Sequence, residues 1–180
     1  MFWLRRLLAA FIARARFRPQ TTYERAVATL ERGDLTAAIA AFTACLHEAV
    51  DDAARVRAYN KRGVAHVRLG NRDEARRDFG EALALDGRFA PAITNIGNLH
   101  FEQGDLAEAV TQYQAAIRAD ETYAIAHLNL GAAYRKLGRR SDAVRELRIA
   151  NRLEGRQLLG PLRRFGGSRG FSGFSGFKGD

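Results

Sequence analysis

The sequence predicts an all-α fold, a stack of about four antiparallel helical hairpins, and three observations carry that expectation. The first is a set of columns spaced 34 residues apart: Gly63, Gly97 and Gly131; Gly70, Gly104 and Gly138; Ala75, Ala109 and Ala143; Ala82, Ala116 and Ala150. The second is a large side chain in the same register, at Phe79, Tyr113 and Leu147. The third is composition. Of 180 residues, 47% are hydrophobic and 27% charged, the balance of a globular chain that buries a core.

Each unit reads as two helical stretches of about 12 to 15 residues around a turn. In the unit Val56–Phe89, a first helix runs from about Val56 to Leu69. Gly70 and Asn71 turn the chain, and a second helix runs from about Asp73 to Leu85. The column Gly63, Gly97, Gly131 falls inside the first helix, where glycine costs about 1 kcal/mol relative to alanine. That cost is tolerable where two helices cross closely. Ala75 and Ala82 supply small facing side chains, and Phe79, Tyr113 and Leu147 are expected to fill the seam between neighbouring hairpins.

A degenerate unit comes first. Gly33 and Asp34 match the turn, Ala38, Phe42 and Cys45 follow in register, and Ala26 takes the first glycine column. From Gly33 to Gly70 is 37 residues, so about three are inserted near Val50–Ala54. The units are therefore about 19–55, 56–89, 90–123 and 124–157. Stacking of such units is what buries each hairpin's apolar face.

At this register the chain resembles the tetratricopeptide-repeat family. The family's Trp-x-x-Leu-Gly-x-x-Tyr element appears as Ile93-x-x-Ile96-Gly97-x-x-His100 and as His127-x-x-Leu130-Gly131-x-x-Tyr134. A looser copy is Tyr59-x-x-Arg62-Gly63-x-x-His66, and Asn95 and Asn129 stand where many members carry asparagine. The proline that usually closes a unit is replaced by Gly87, Glu121 and Gly155. The resemblance implies a right-handed superhelix whose first helices line a concave, peptide-binding side. Groove positions implied by it are Arg57, Asn60, Lys61, Val64 and Arg68, then Thr94, Asn95, Asn98, Phe101 and Glu102, then Leu128, Asn129, Ala132, Arg135 and Lys136. Asparagine offers both donor and acceptor to an extended backbone. The basic ends suggest a partner with acidic character. Family cochaperones hold a carboxylate with lysine, arginine and asparagine at fixed columns. Here those columns carry Asn60, Val64, Asn95, Ile125 and Asn129, and a chaperone-tail clamp is not expected.

Catalytic and cofactor chemistry find no foothold. Cys45 is the one cysteine, which rules out an internal disulfide and a cysteine-based structural zinc site. No phosphate loop, dinucleotide fingerprint or nucleophile elbow occurs. His66 and His100 take the tyrosine column and His127 the tryptophan column, so each is expected to pack, and no metal or cofactor is expected.

The formal charge of +9 is unevenly placed. Residues 1–18 hold five arginines and no acid, and residues 156–180 hold five basic residues and Asp180. Of 29 basic and 20 acidic residues, 19 of each remain between those ends, so a neutral domain carries two basic arms. In the first arm Trp3, Leu4, Leu7, Leu8, Phe11 and Ala15 form a helical stripe, with Arg5, Arg6 and Arg16 outside it. That pattern suits an amphipathic helix in the headgroup layer of an anionic membrane, a cap on the first hairpin, or a targeting segment. A short cap with Leu158, Leu159, Leu162 and Phe165 follows the last unit, kinked at Gly160-Pro161. The Gly/Phe/Ser-rich tail after it is expected to be disordered.

Arginine in place of lysine, with lysine only at 61, 136 and 178, points to a GC-rich, bacterial genome. The expected function is a non-catalytic adaptor in the cytoplasm, at the cytoplasmic face of a membrane where the first arm engages lipid. The alternative is a nucleic-acid-associated protein using the two arms.

Overall fold

The structure, a computed structural model, describes residues 21–159, with side chains to Gly155. The basic arm with Trp3, Leu4, Arg5, Arg6, Leu7, Leu8 and Phe11, and the stretch 160–180, lie outside the described residues. The described residues form eight helices: α1 Thr22–Glu31, α2 Leu35–Glu48, α3 Asp52–Leu69, α4 Arg72–Leu85, α5 Ala90–Gln103, α6 Leu106–Ala119, α7 Ala124–Lys136 and α8 Arg140–Leu159. They pair in sequence as four hairpins, an all-α repeat solenoid.

Local chemistry sets the starts and turns. Thr21 and Glu24 form a reciprocal capping box on α1, with hydrogen bonds of 3.1 and 2.9 Å. Asp34 and Asp51 cap α2 and α3 by accepting from the amides of Ala37 and Ala54. Every hairpin turn places a glycine in the left-handed region: φ is 85° at Gly33, 90° at Gly70 and Gly104, and 76° at Gly138. Pro91 opens α5, where its missing N–H leaves no bond unmade. The inserted residues become an extra first turn of α3, which has 18 residues where α5 has 14 and α7 has 13. Its linker is only Ala49–Asp51.

The glycine column works within each hairpin. A Cβ on Gly63 would lie 2.6 Å from Phe79 Cε1, one on Gly97 2.7 Å from Tyr113 Cε1, and one on Gly131 3.0 Å from Leu147 Cγ. Phe79, Tyr113 and Leu147 thus seat against the glycine of their own unit. The expected packing across the seam between units is present as well: Tyr113 clusters with Leu130, Ala133 and Tyr134 of the following hairpin. Phe79 does also join a cluster with Ala92 and Leu99 of the following hairpin. A ring lying on bare helix backbone brings the two helices close without leaving a void.

The direction of curvature follows from which helices touch. First helices of successive hairpins make contact, α1 with α3, α3 with α5 and α5 with α7. Second helices of successive hairpins do not. The stack therefore bends with α1, α3, α5 and α7 on its inner side.

Candidate functional site: the inner face

Four asparagines of the inner helices are joined in a ladder. Asn95 Nδ2 on α5 donates to Asn60 Oδ1 on α3 at 2.9 Å. Asn98 Nδ2 donates to Asn95 Oδ1 at 3.5 Å, and Asn129 Nδ2 on α7 donates to Asn98 Oδ1 at 2.8 Å. Tyr113 OH, from α6, donates to the same Asn98 oxygen at 2.8 Å. Burial pushes the Tyr113 phenol well above its ordinary range, with the carboxylate of Glu102 adding to the effect, so the ring keeps its proton as a donor. Each amide nitrogen carries two N–H groups, so Asn95, Asn98 and Asn129 each keep one beyond the ladder bond, with no acceptor for it among the described residues. Asn60 is 7% exposed, which makes it the foot of the ladder rather than an open contact.

A trough of ≈ 400 Å³ runs along this face, lined by residues from α1 to α7. Arg57, Asn60, Lys61, Val64 and Asn95 line it together with Tyr23, Phe89, Pro91, Tyr123 and Ile125. Among the described residues, no carboxylate lies within ion-pair distance of Arg57, Lys61, Arg135 or Lys136. Glu102 is paired with Arg72 at 3.6 Å. The inner face is thus cationic with an apolar wall.

The remaining predicted positions divide. Leu128 and Arg135 are exposed on α7, and Ile125 and Leu128 keep 47% and 42% of their surface in water. Lys136 places its ammonium 4.2 Å from the centre of the Phe101 ring, so that pair is half engaged with itself. Val64 and Ala132 are half-buried and Glu102 exposed. Arg68 is exposed, but its guanidinium donates to the Leu30 carbonyl at 2.7 Å and closes the end of α1. Thr94 is corrected: at 1% exposure it is core, and its hydroxyl meets no ligand-accessible space.

Sequence reasoning left Tyr23, Phe89, Pro91 and Tyr123 out of the groove, and named Ile125 only at a clamp column that does not match. The signal was present for two of them, since Pro91 and Ile125 stand one and two periods after Arg57. It also missed the partners of the odd residues in the family columns. Arg62 donates to both Asp78 oxygens at 2.9 and 2.7 Å and to Thr43 Oγ1 at 3.0 Å, bridging α2, α3 and α4. The Asp78 carboxylate holds the Arg62 guanidinium above its ordinary range. His127 Nδ1 meets Glu146 Oε2 at 2.8 Å, both under 8% exposed. Asp78 and Glu146 occupy one column, two periods apart. His66 and His100 are mostly buried, as packing residues, and Cys45 is buried.

Among the described residues, no group of three or more His, Cys, Asp or Glu is arranged to hold a metal ion. No described helix is long and apolar enough to cross a membrane.

The chain is similar to known repeat proteins over this whole region. A family model described as "Tetratricopeptide repeat" matches residues 56–89, and one described as "TPR repeat" matches residues 97–138. No curated protein matches the chain. Among solved structures it is similar to MamA, at 20% identity and a TM-score of 0.60, covering 83% of this chain and 88% of that one. It is also similar to YrrB, described as "a TPR protein with an unusual peptide-binding site", at 20% identity and a TM-score of 0.55, covering 79% and 72%. The second TPR of Spaghetti (RPAP3), bound to the HSP90 peptide SRMEEVD, is 22% identical with a TM-score of 0.51, covering 55% and 92%. These are likenesses of fold. With the two family models, the 34-residue register and the four hairpins in agreement, the chain carries tetratricopeptide repeats, matched by family models at residues 56–89 and 97–138.

Proposed function

We propose that this protein is a non-catalytic adaptor that holds an extended segment of another protein along its inner face. The observation that carries the reading is the asparagine ladder from Asn60 to Asn129, which crosses three hairpins and leaves a row of N–H donors. Backbone carbonyls of an extended chain recur about every 3.3 Å and can accept from such a row without regard to sequence. Flanking apolar and cationic side chains then supply selectivity. Repeat domains of this family are interaction modules as a class, which supports the coarse reading.

The basic arm of residues 1–18 supports a second element, peripheral attachment to an anionic membrane at the cytoplasmic face. Deleting it should abolish co-sedimentation with vesicles containing anionic lipid, while leaving peptide binding intact. Unchanged sedimentation overturns the membrane element.

For the groove itself, the full chain is used as bait in nuclease-treated extract of its own cells, beside the variant Asn95→Ala, Asn129→Ala. A protein recovered by the first and lost by the second supports the groove. Material that vanishes with nuclease and ignores the substitutions means that the arms bind nucleic acid and the groove reading is wrong.

A further inference from the structure

The junction between the first two hairpins differs from the other two. Before α5 and before α7 the chain inserts an aromatic ring of its own, Phe89 and Tyr123, and each packs half-buried into the adjoining core. Before α3 the linker is Ala49–Asp51 and supplies no ring. A hollow of ≈ 530 Å³ opens there, walled chiefly by Tyr23, Cys45, Ala49, Val50 and Ala54. That volume lies within the range of small-ligand sites. Val50, at its rim, is an aliphatic side chain 93% exposed.

Tyr23 and Arg57 line this hollow and also the trough of the inner face, so the two are continuous. Glu48 is the carboxylate at the hollow, and it does not reach ion-pair distance of Arg57. Arg57 thus stands at the hollow and Lys61 beside it in the adjoining trough, and among the described residues neither has a carboxylate within ion-pair distance.

We propose that this hollow takes a large apolar side chain of the bound segment while Arg57 and Lys61 take an adjacent carboxylate. The partner is then an extended peptide carrying an acidic residue beside an aromatic or large aliphatic one. The partner's side chain fills, at the first junction, the role that Phe89 and Tyr123 fill at the others. The inference rests on the groove reading and narrows it.

The test is selection of a random peptide library displayed on phage against the full chain, with the Asn95→Ala, Asn129→Ala variant as control. Selected peptides should carry Asp or Glu next to Phe, Tyr, Trp or Leu. The variant Arg57→Glu, Lys61→Glu should bind them roughly tenfold or more weakly and select basic peptides instead. Ala54→Leu, a good helix former placed in the hollow, should weaken peptides with aromatic residues and spare those with small ones. Both variants keep exposed or half-exposed positions and should retain the parent's circular dichroism. Peptides that depend on Asn95 and Asn129, yet show no acidic–apolar pairing and ignore these variants, overturn this inference and leave the groove reading standing. No selection over the control removes both. If only a chain lacking residues 1–18 selects such peptides, the chain's own arm occupies the hollow and the partner assignment is wrong.

Discussion

Tyr113 OH and Asn129 Nδ2 both reach Asn98 Oδ1, each at 2.8 Å. One carbonyl oxygen thus ties the outer helix α6 to two inner helices, and its two lone pairs are both used. The orientation of the asparagine strip is set from behind by a core tyrosine. Tyr113→Phe keeps the ring against Gly97 but removes one donor, which should cost about 1 kcal/mol of stability. Because Asn98 loses one of the bonds that aim it, peptide affinity should fall with it. Calorimetry and a peptide titration on the same variant check the two effects together.

The tyrosines also set an alkaline limit. Burial raises the Tyr113, Tyr123 and Tyr23 phenols above their ordinary value of 10.0, with Arg57 opposing the rise at Tyr23. A phenol whose folded value lies above its unfolded one contributes full stability below about pH 10. That contribution is lost as the pH rises from there toward the folded value, since only the unfolded chain gives up its protons. Stability should therefore fall as pH climbs past 10, and tyrosinate absorbance should appear together with loss of helix. Tyr113→Phe should move the alkaline midpoint upward, and free titration of every tyrosine before any helix is lost would contradict this.

Glycines in two kinds of place should respond with opposite signs. Gly97→Ala pushes a methyl to 2.7 Å from Tyr113 Cε1, so the ring or the helix must shift, at roughly 1–3 kcal/mol. Gly80 sits in α4 with nothing within 4 Å of a built Cβ, and Gly80→Ala should stabilise by about 0.5–1 kcal/mol. Thermal melts of the two single variants decide it.

Arg62 and Asp78 form a pair that should be judged by breaking one side. Arg62→Leu leaves Asp78, 4% exposed, with no partner closer than His66 at 3.9 Å, and should cost about 3 kcal/mol. Adding Asp78→Leu should restore most of that loss, because the desolvated charge goes with it. A double-mutant cycle by urea unfolding reads the coupling directly.

Much of the fold was legible in the sequence because repetition multiplies a weak signal. One glycine in a helix says little; Gly63, Gly97 and Gly131 at one interval say that a close helix crossing recurs. The inner face was partly legible for the same reason. Register placed Asn95, Asn98 and Asn129 on one side, but it could not show that they bond to each other, or that Thr94, one residue before Asn95, turns fully inward. Arg68 shows a further limit. Its column is a groove column, yet a carbonyl 38 residues earlier claims its guanidinium. The ion pairs were missed because Arg62 and His127 were read as imperfect copies of apolar columns. The acids that compensate them lie 16 and 19 residues on, in a column that carries no family signature. The hollow at the first junction was visible only as three extra residues.

Whether partners bind on the inner side of the solenoid is read directly by photocrosslinking. A photoreactive residue is placed at Leu128 on α7, or at the exposed Arg76 on the outer helix α4, in the full chain. Each is illuminated in nuclease-treated native extract. A discrete protein adduct is expected from position 128, lost with Asn95→Ala, Asn129→Ala, and none from position 76. Adducts from position 76 alone, or from position 128 regardless of the asparagines, would contradict binding on the inner side.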